Sequence, residues 1–220
     1  MSVSPHPAPP RLGVFVTGTD TGVGKTVVAA ALARAWGGGY WKPVQTGLVT
    51  GDDDTATVVS LAGLSDDRVA PPAYALQAPL SPHAAAALEA VAIDFRRLAA
   101  PPPLPGPLVI EGAGGVLVPL TDRHLMIDLM ARLALPVVLV ARSGLGTINH
   151  TLLSLMALRS RDLAIAGVVL VGPLNPGNRA AIESYGAVRV IAELPPVEPL
   201  DTAALARLAT LLPPLAQVLR

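Results

Sequence analysis

Cysteine is absent from the 220 residues, which excludes disulfides, thiolate nucleophiles, cysteine-ligated zinc, iron–sulfur clusters and a cysteine-dependent glutaminase step. Nitrogen chemistry on this chain has to draw on an amine that a substrate already carries. An excess of charge of one sign is missing too. Sixteen Lys and Arg balance sixteen Asp and Glu, leaving no cationic surplus for a nucleic-acid backbone or an anionic membrane surface, so neither is expected as a partner. Long hydrophobic runs are also lacking. Apolar residues make up 51% of the chain, but runs such as residues 133–141 and 163–171 are broken by Pro or Gly and fall well short of the roughly 20 residues of a membrane span. The opening MSVSPHPAPP has no charged-then-apolar signal pattern; residues 1–11 are expected to form a disordered leader, and the cytoplasm is the expected compartment.

Lysine is the last scarcity. Of the sixteen basic residues only Lys25 and Lys42 are lysines. In a chain that otherwise uses Arg as its cation, these two mark positions where a compact ammonium is needed and a planar guanidinium would not fit, unless they persist by chance.

What is present points to one α/β domain over residues 12–220, long enough to bury a real core. β-Branched apolar runs bounded by Gly or Pro occur at residues 12–17, 108–110, 136–141, 166–171 and 187–191, and a short apolar stretch at 39–41 gives a further strand. Ala- and Leu-rich stretches of helical character lie between them at 26–36, 82–100, 125–133, 148–159 and 202–211. The alternation predicts a doubly wound, mostly parallel sheet with helices on both faces. The proline-rich segment 99–107 leads straight into a strand and reads as a stiff surface loop rather than a linker.

Residues 18–26 read GTDTGVGKT between an apolar strand and a helix-forming run. Strand, glycine loop and helix together make a phosphate cradle: backbone N–H groups turn inward, the helix start adds partial positive charge, Lys25 bridges the β- and γ-phosphates and the Thr26 hydroxyl reaches Mg²⁺. Five residues rather than four separate Gly18 from the GK pair, so the loop is a variant of the Walker A pattern. Glu111 closes an apolar strand, where a carboxylate is costly unless it faces a cleft and meets a cation. Asp52, Asp53 and Asp54 form an acidic run, whose commoner fate is a solvated turn or a helix cap and whose alternative is a source of metal ligands. Lys42 sits at the expected end of the strand 39–41, where loops of such sheets meet ligands.

Taken with KPVQTG at 42–47, SPH at 81–83, EGAGG at 111–115 and GLGTINH at 144–150, the loop makes the chain resemble the dethiobiotin synthetase family from about Leu12 to about Val197. The resemblance implies a P-loop NTPase-like fold and a homodimer. It also implies an ATP- and Mg²⁺-dependent ligase that carboxylates 7,8-diaminopelargonic acid with CO₂ or bicarbonate and closes the cyclic urea dethiobiotin, releasing ADP and phosphate. Nucleotide contacts are implied at Gly22, Val23, Gly24, Lys25, Thr26 and Val27, and along Glu111, Gly112, Ala113 and Gly114. Lys42 and Lys25 would be the catalytic cations, and Thr26, Asp54 and Glu111 the Mg²⁺ ligands. Thr46 would bind the diamine. Its carboxylate tail would meet Gly146, Thr147, Ile148 and Asn149 of the neighbouring subunit across the dimer interface.

The chain departs from the family after residue 171. Where the family often carries an Asn-Asp pair that reads adenine, Val171, Gly172 and Pro173 stand here. Backbone groups at Gly172 and at Pro195, Pro196 and Val197 are left to frame a base, and the base preference is open. Two rivals share the loop. A partition-type nucleotide switch usually carries an extra lysine early in its loop, which is missing here; a cobyrinate-type amidase normally works with a cysteine-bearing glutaminase domain. His83 is expected to be structural, and His6, His124 and His150 show no metal-ligand pattern.

Overall fold

The computed structural model describes residues 12–219; the leader expected at 1–11 lies outside the described residues. The chain runs β1 (Gly13–Gly18), α1 (Lys25–Trp36), β2 (Gly39–Trp41), β3 (Val44–Gln45), α2 (Asp54–Ala62), β4 (Val69–Ala70), β5 (Tyr74–Ala75), α3 (Pro82–Leu88), α4 (Phe95–Leu98) and β6 (Leu108–Gly115). It continues through α5 (Met126–Leu133), β7 (Val137–Arg142), α6 (Thr147–Arg159), β8 (Ile165–Val171), α7 (Pro176–Gly186), β9 (Val190–Leu194), α8 (Thr202–Ala209) and α9 (Leu215–Val218).

Seven strands form one sheet in the order β4-β2-β6-β1-β7-β8-β9, and every pairing is parallel. Period-2 alternation divides the core between the two faces. Val14, Val16, Val109, Val138 and Val140 point to one side, where they pack with buried residues of α1, α2 and α8 such as Leu32, Val58, Leu61 and Leu205. Phe15, Ile110, Leu139 and Ala141 point to the other and meet Leu129 and Met130 of α5 and Leu155 and Leu158 of α6. Burial on both faces is what turns β1 and β7 into near-continuous apolar runs. Ala29, Ala30, Ala31 and Ala33 give α1 a side so small that it seats directly against the sheet and its neighbouring helices. The expected doubly wound architecture is the observed one.

Because β1 lies between β6 and β7, the chain crosses from one half of the sheet to the other there. The crevice beyond the carboxyl ends of strands at such a crossing is where ligands meet this kind of sheet.

Three element boundaries differ from the sequence reading, those of the helix at 82–100 and of the strands at 187–191 and 108–110. The helix expected over 82–100 is two helices, α3 and α4, because the chain breaks after Glu89: Ala90 takes a left-handed φ of 53° and the Val91 N–H bonds back to the Ala86 carbonyl at 2.8 Å. The strand expected at 187–191 is β9, displaced toward the C-terminus, since Ala187 adopts φ 41° as the cap of α7. Helices α2 and α7 had no counterpart in the pattern, and the strand seen at 108–110 continues to Gly115.

Candidate functional site

The loop between β1 and α1 enters the helix through Gly24, whose φ of 95° is left-handed and which has Val171 of β8 pressed against it, so that a Cβ there would lie 2.9 Å from Val171 Cγ1. Only glycine meets both demands cheaply. Lys25 and Thr26 open the helix, Lys25 donating from Nζ to the Asp20 carbonyl at 2.9 Å. Arg142, at the end of β7, ties the outside of the loop by donating to Asp20 Oδ2 and to the Thr21 carbonyl, both at 3.2 Å.

Beside this loop lies a cleft of about 730 Å³. Its floor is a charged cluster drawn from four segments. Lys42 follows β2 and is 2% exposed, with Nζ 2.8 Å from Asp54 Oδ2 and 3.1 Å from Glu111 Oε1 and a further bond to the Gly112 carbonyl at 3.4 Å. Asp54 arrives on the first turn of α2, held there by Asp53, whose carboxylate caps the helix by accepting from the Ala56 N–H at 2.9 Å. The acidic run therefore supplies both a cap and a site carboxylate. Glu111 comes from the middle of β6, 1% exposed, and its Oε2 accepts from the Tyr40 hydroxyl at 2.8 Å. Thr26 Oγ1 stands 2.7 Å from Asp54 Oδ1 and 3.0 Å from Glu111 Oε1; its single proton serves one carboxylate at a time.

Burial presses the Lys42 ammonium toward deprotonation, but Glu111 and then Asp54 more than offset this and raise its pKa above the ordinary lysine value. Lys25 goes the other way. Burial lowers its pKa, with Lys42 adding to the fall and Glu111 opposing it. Asp54 is lowered despite burial, because Lys42 faces it and both Lys42 and Thr26 bond to it. The Tyr40 hydroxyl is pushed well above its usual range by burial and then by Glu111, so it stays a donor. The result is a fixed, buried cation between two carboxylates, with a second lysine close by.

Thr26 Oγ1 and the two carboxylates are hard oxygens converging on one point, a donor set suited to Mg²⁺ that completes its shell with phosphate oxygens and water. Among the described residues no cluster of three or more His, Cys, Asp or Glu could hold a metal ion by itself.

Of the residues singled out in the sequence, Gly22, Gly24, Lys25, Thr26, Val27, Lys42, Thr46, Asp54, Glu111, Ala113 and Gly114 line this cleft, together with Gln45, Ser81 and Pro82. Val23 is 2% exposed and packs into the core. Gly112 contributes its carbonyl to Lys42, while a Cβ on it would lie 2.9 Å from the Phe15 ring. Gly172 and residues 195–197 sit at the carboxyl ends of β8 and β9, on the Val171 side of Gly24. Gly146, Thr147, Ile148 and Asn149 begin α6 and are not on the lining of their own chain's cleft. His83 pairs with Ser81, Oγ to Nδ1, at 3.0 Å, and His124 stacks on Phe95 with ring centroids 4.1 Å apart. The residues the pattern did not mark are Tyr40, Gln45 and Arg142.

A glycine loop between a buried parallel strand and a helix, opening on a cleft with paired lysines and carboxylates, defines a P-loop nucleotide-binding protein. Comparison with known proteins narrows this. A family profile described as an AAA domain matches residues 12–204. The ATP-dependent dethiobiotin synthetase BioD of Paramagnetospirillum magneticum is 54% identical over 92% of this chain and 95% of its own length, and that of Agrobacterium fabrum is 53% identical over 88% and 91%. The biotin biosynthesis bifunctional protein BioCD of Bordetella avium is 56% identical over 94% of this chain, which spans only 44% of that longer protein. The chain belongs to the dethiobiotin synthetase family. Among solved structures, a ParA family ATPase from Chlorobium tepidum superposes with a TM-score of 0.54 at 12% identity, covering 96% of this chain and 99% of its own. A nucleotide-binding protein in complex with ADP from Archaeoglobus fulgidus gives 0.51 at 17%, covering 93% and 90%. Likeness at such identities shows the fold alone.

Proposed function

We propose that this chain is an ATP- and Mg²⁺-dependent dethiobiotin synthetase that joins 7,8-diaminopelargonic acid and CO₂ into the cyclic urea. The observation that carries the reading is the buried Lys42 ammonium, 2.8 Å from Asp54 and 3.1 Å from Glu111, in the same cleft as the phosphate loop. An amine and CO₂ give a carbamate, a poor acylating agent. Transfer of the γ-phosphoryl group to a carbamate oxygen gives a carbamic-phosphoric anhydride, and the second amine then attacks its carbonyl carbon, expels phosphate and closes the ring. A carbamate and a triphosphate repel, so the protein's work is placement and charge neutralisation in a site poor in water.

Lys42 faces both anions and holds them together, while Lys25 meets the β- and γ-phosphates and Thr46 receives the diamine. Thr26, Asp54 and Glu111 would hold Mg²⁺, which when bound would neutralise phosphate charge. Ala113 and Gly114 bring backbone close to the nucleotide, and the turn at Gly172 with residues 195–197 frames its base without a side-chain amide. Glu111→Gln keeps the size of the side chain and removes one anionic ligand. The Mg²⁺ concentration that half-saturates nucleotide binding is expected to rise at least about tenfold, and a titration overlaying that of the parent takes Glu111 out of the metal site.

A homodimer completes the site in this reading. Leu145 is fully exposed, and Leu153 and Met156 of α6 and Leu117 after β6 are more than half exposed. Leu117 and Leu153 line a second hollow of about 380 Å³ that borders Asp20 and Thr21 of the phosphate loop. A second copy seated here brings the α6 start, Gly146 to Asn149, to its partner's cleft to receive the diamine carboxylate. Leu153→Arg is expected to yield monomers by light scattering, with nucleotide binding kept and ring closure lost. A dimeric, active variant removes α6 from the interface.

No described helix is long and apolar enough to cross a membrane, and we expect the protein to act in the cytoplasm. Mass spectrometry of the diamine incubated with protein, Mg²⁺, bicarbonate and ATP, with CTP and GTP in parallel, tests the reading. Dethiobiotin together with phosphate supports it, and the best triphosphate defines the base preference. Bound nucleotide without cyclic urea under any triphosphate overturns it and favours a nucleotide switch.

A further inference from the structure

The segment from Thr46 to Asp54 carries a cleft residue at each end, and both ends are fastened to one buried side chain. Gln45, the last residue of β3, is 2% exposed. Its Nε2 donates to the Thr46 carbonyl at 2.7 Å and to the Asp52 carbonyl at 2.6 Å. Its Oε1 accepts from the Asp54 N–H at 3.3 Å. Both amide protons are used, and all three bonds stay within this one loop. Around them the loop is drawn tight: Gly47 and Gly51 take left-handed φ values of 84° and 83°, and a Cβ on Gly47 would lie 2.9 Å from Asp52 Oδ2. The Gly47 N–H bonds outward to the Ala78 carbonyl at 3.0 Å, next to the cleft-lining residues 79–82.

We infer that Gln45 is a positioning residue that couples the two halves of the reaction site, setting Thr46 on the diamine side and Asp54 on the Mg²⁺ side through one carboxamide. This rests on the functional reading above. The three bonds of the carboxamide all go to backbone of its own loop. It acts by fixing the Thr46 carbonyl and the Asp54 N–H, whose residues face the diamine and the Mg²⁺ in this reading, and the Asp52 carbonyl between them. A buried side chain with three such bonds is costly to remove, because each partner left behind is unsatisfied. Losing it frees both ends of the loop at once, whereas altering either end alone leaves the other in place.

Gln45→Met keeps the volume and deletes all three bonds. In the full-length protein it is expected to raise the Mg²⁺ half-saturation for binding a non-hydrolysable ATP analogue and the KM for the diamine together, each about tenfold. Mg²⁺-free affinity for the analogue should stay within about twofold and kcat at saturation within about threefold. Hydrogen exchange should quicken at the Asp54 amide and not in residues 18–26. Asp54→Asn, by contrast, should move the Mg²⁺ requirement and leave the diamine KM nearly unchanged. If Gln45→Met does not fold, Gln45→Asn, with a shorter stem, is judged by the same criteria. Movement of only one of the two parameters overturns the coupling. So does movement of neither, or a loss of Mg²⁺-free nucleotide affinity in step with both. Should the parent protein form no dethiobiotin, the functional reading fails by itself, and the Mg²⁺ and exchange measurements still judge whether Gln45 fixes the loop.

Discussion

Lys42→Arg is expected to lower turnover about a hundredfold or more while nucleotide affinity changes little. The charge is conserved, so the effect is one of shape. The ammonium fits between Asp54, Glu111 and the Gly112 carbonyl because it is a compact charge that donates in three directions. A guanidinium is planar and larger, and the gap between Asp54, Glu111 and the Gly112 carbonyl, 2.8 to 3.4 Å from the ammonium, does not take it in the same place. Either the fork swings out of the floor or the carboxylates move apart, and both displace the cation from the point where, on the proposed mechanism, carbamate and γ-phosphate meet. Removing one preorganised group of this kind costs about 10²–10³ in rate. Single-turnover assays at saturating diamine and nucleotide read this directly, with analogue binding measured alongside. A variant that turns over at the parent rate removes Lys42 from the reaction.

Gly24→Ala should weaken nucleotide binding by about tenfold or more, whatever the base. The left-handed backbone costs an alanine about 1–2 kcal/mol, and its Cβ would be driven onto Val171 Cγ1 at 2.9 Å. Relief requires the loop to shift away from β8, turning N–H groups from the phosphates immediately before Lys25 and Thr26. Calorimetry with the ATP analogue tests this. Affinity equal to the parent's would mean that Val171 yields and that the loop does not rely on a glycine here. Trimming Val171 to Ala in the same chain removes the clash but not the backbone cost, so it should recover only part of the lost affinity.

The near-continuous apolar runs made most of the sheet legible, since strands covered on both faces read that way, but the two-residue edge strand β4 is too short to show. The helices missed were those whose sequences resemble surface. Helix α7, PGNRAAIESYG, buries little beyond Ile182 and Gly186, yet Asn175 followed by Pro176 is a sound start signal, and the Asn175 side chain does accept from the Asn178 N–H at 3.0 Å. Helix α2 hid behind its aspartates. The overlong helix at 82–100 came from reading alanines without a breaker: its stop is Ala90, and nothing about an alanine announces a left-handed turn. At the site, the glycine loop and the two lysines stood out, because spacing and scarcity are visible in one dimension. That Lys42 meets Glu111 across 69 positions is not, for only the pairing of β2 with β6 brings them together. Tyr40, bonded to Glu111 across the same pairing, was hidden for the same reason, whereas Gln45 bonds only within its own loop. A polar residue in a short apolar strand does not declare what it bonds to.

The position of β6 has a further consequence for how the molecule comes to exist. It is inserted between β2 and β1, with Leu108 paired to Gly13 on one side and to Gly39 on the other, although those strands precede it by some seventy residues or more. During synthesis the first half of the chain leaves the ribosome with no central strand to join its two edges. Contacts so distant in sequence form slowly. Until they do, Lys42 and Asp54 lack Glu111, and the apolar sides of β1 and β2 stand open. Completion of the Lys42–Asp54–Glu111 cluster and pairing of β2 with the rest of the sheet thus arrive in one event. A fragment ending before residue 108 would gain neither, and the enzyme cannot be divided there into a nucleotide half and a substrate half that fold by themselves.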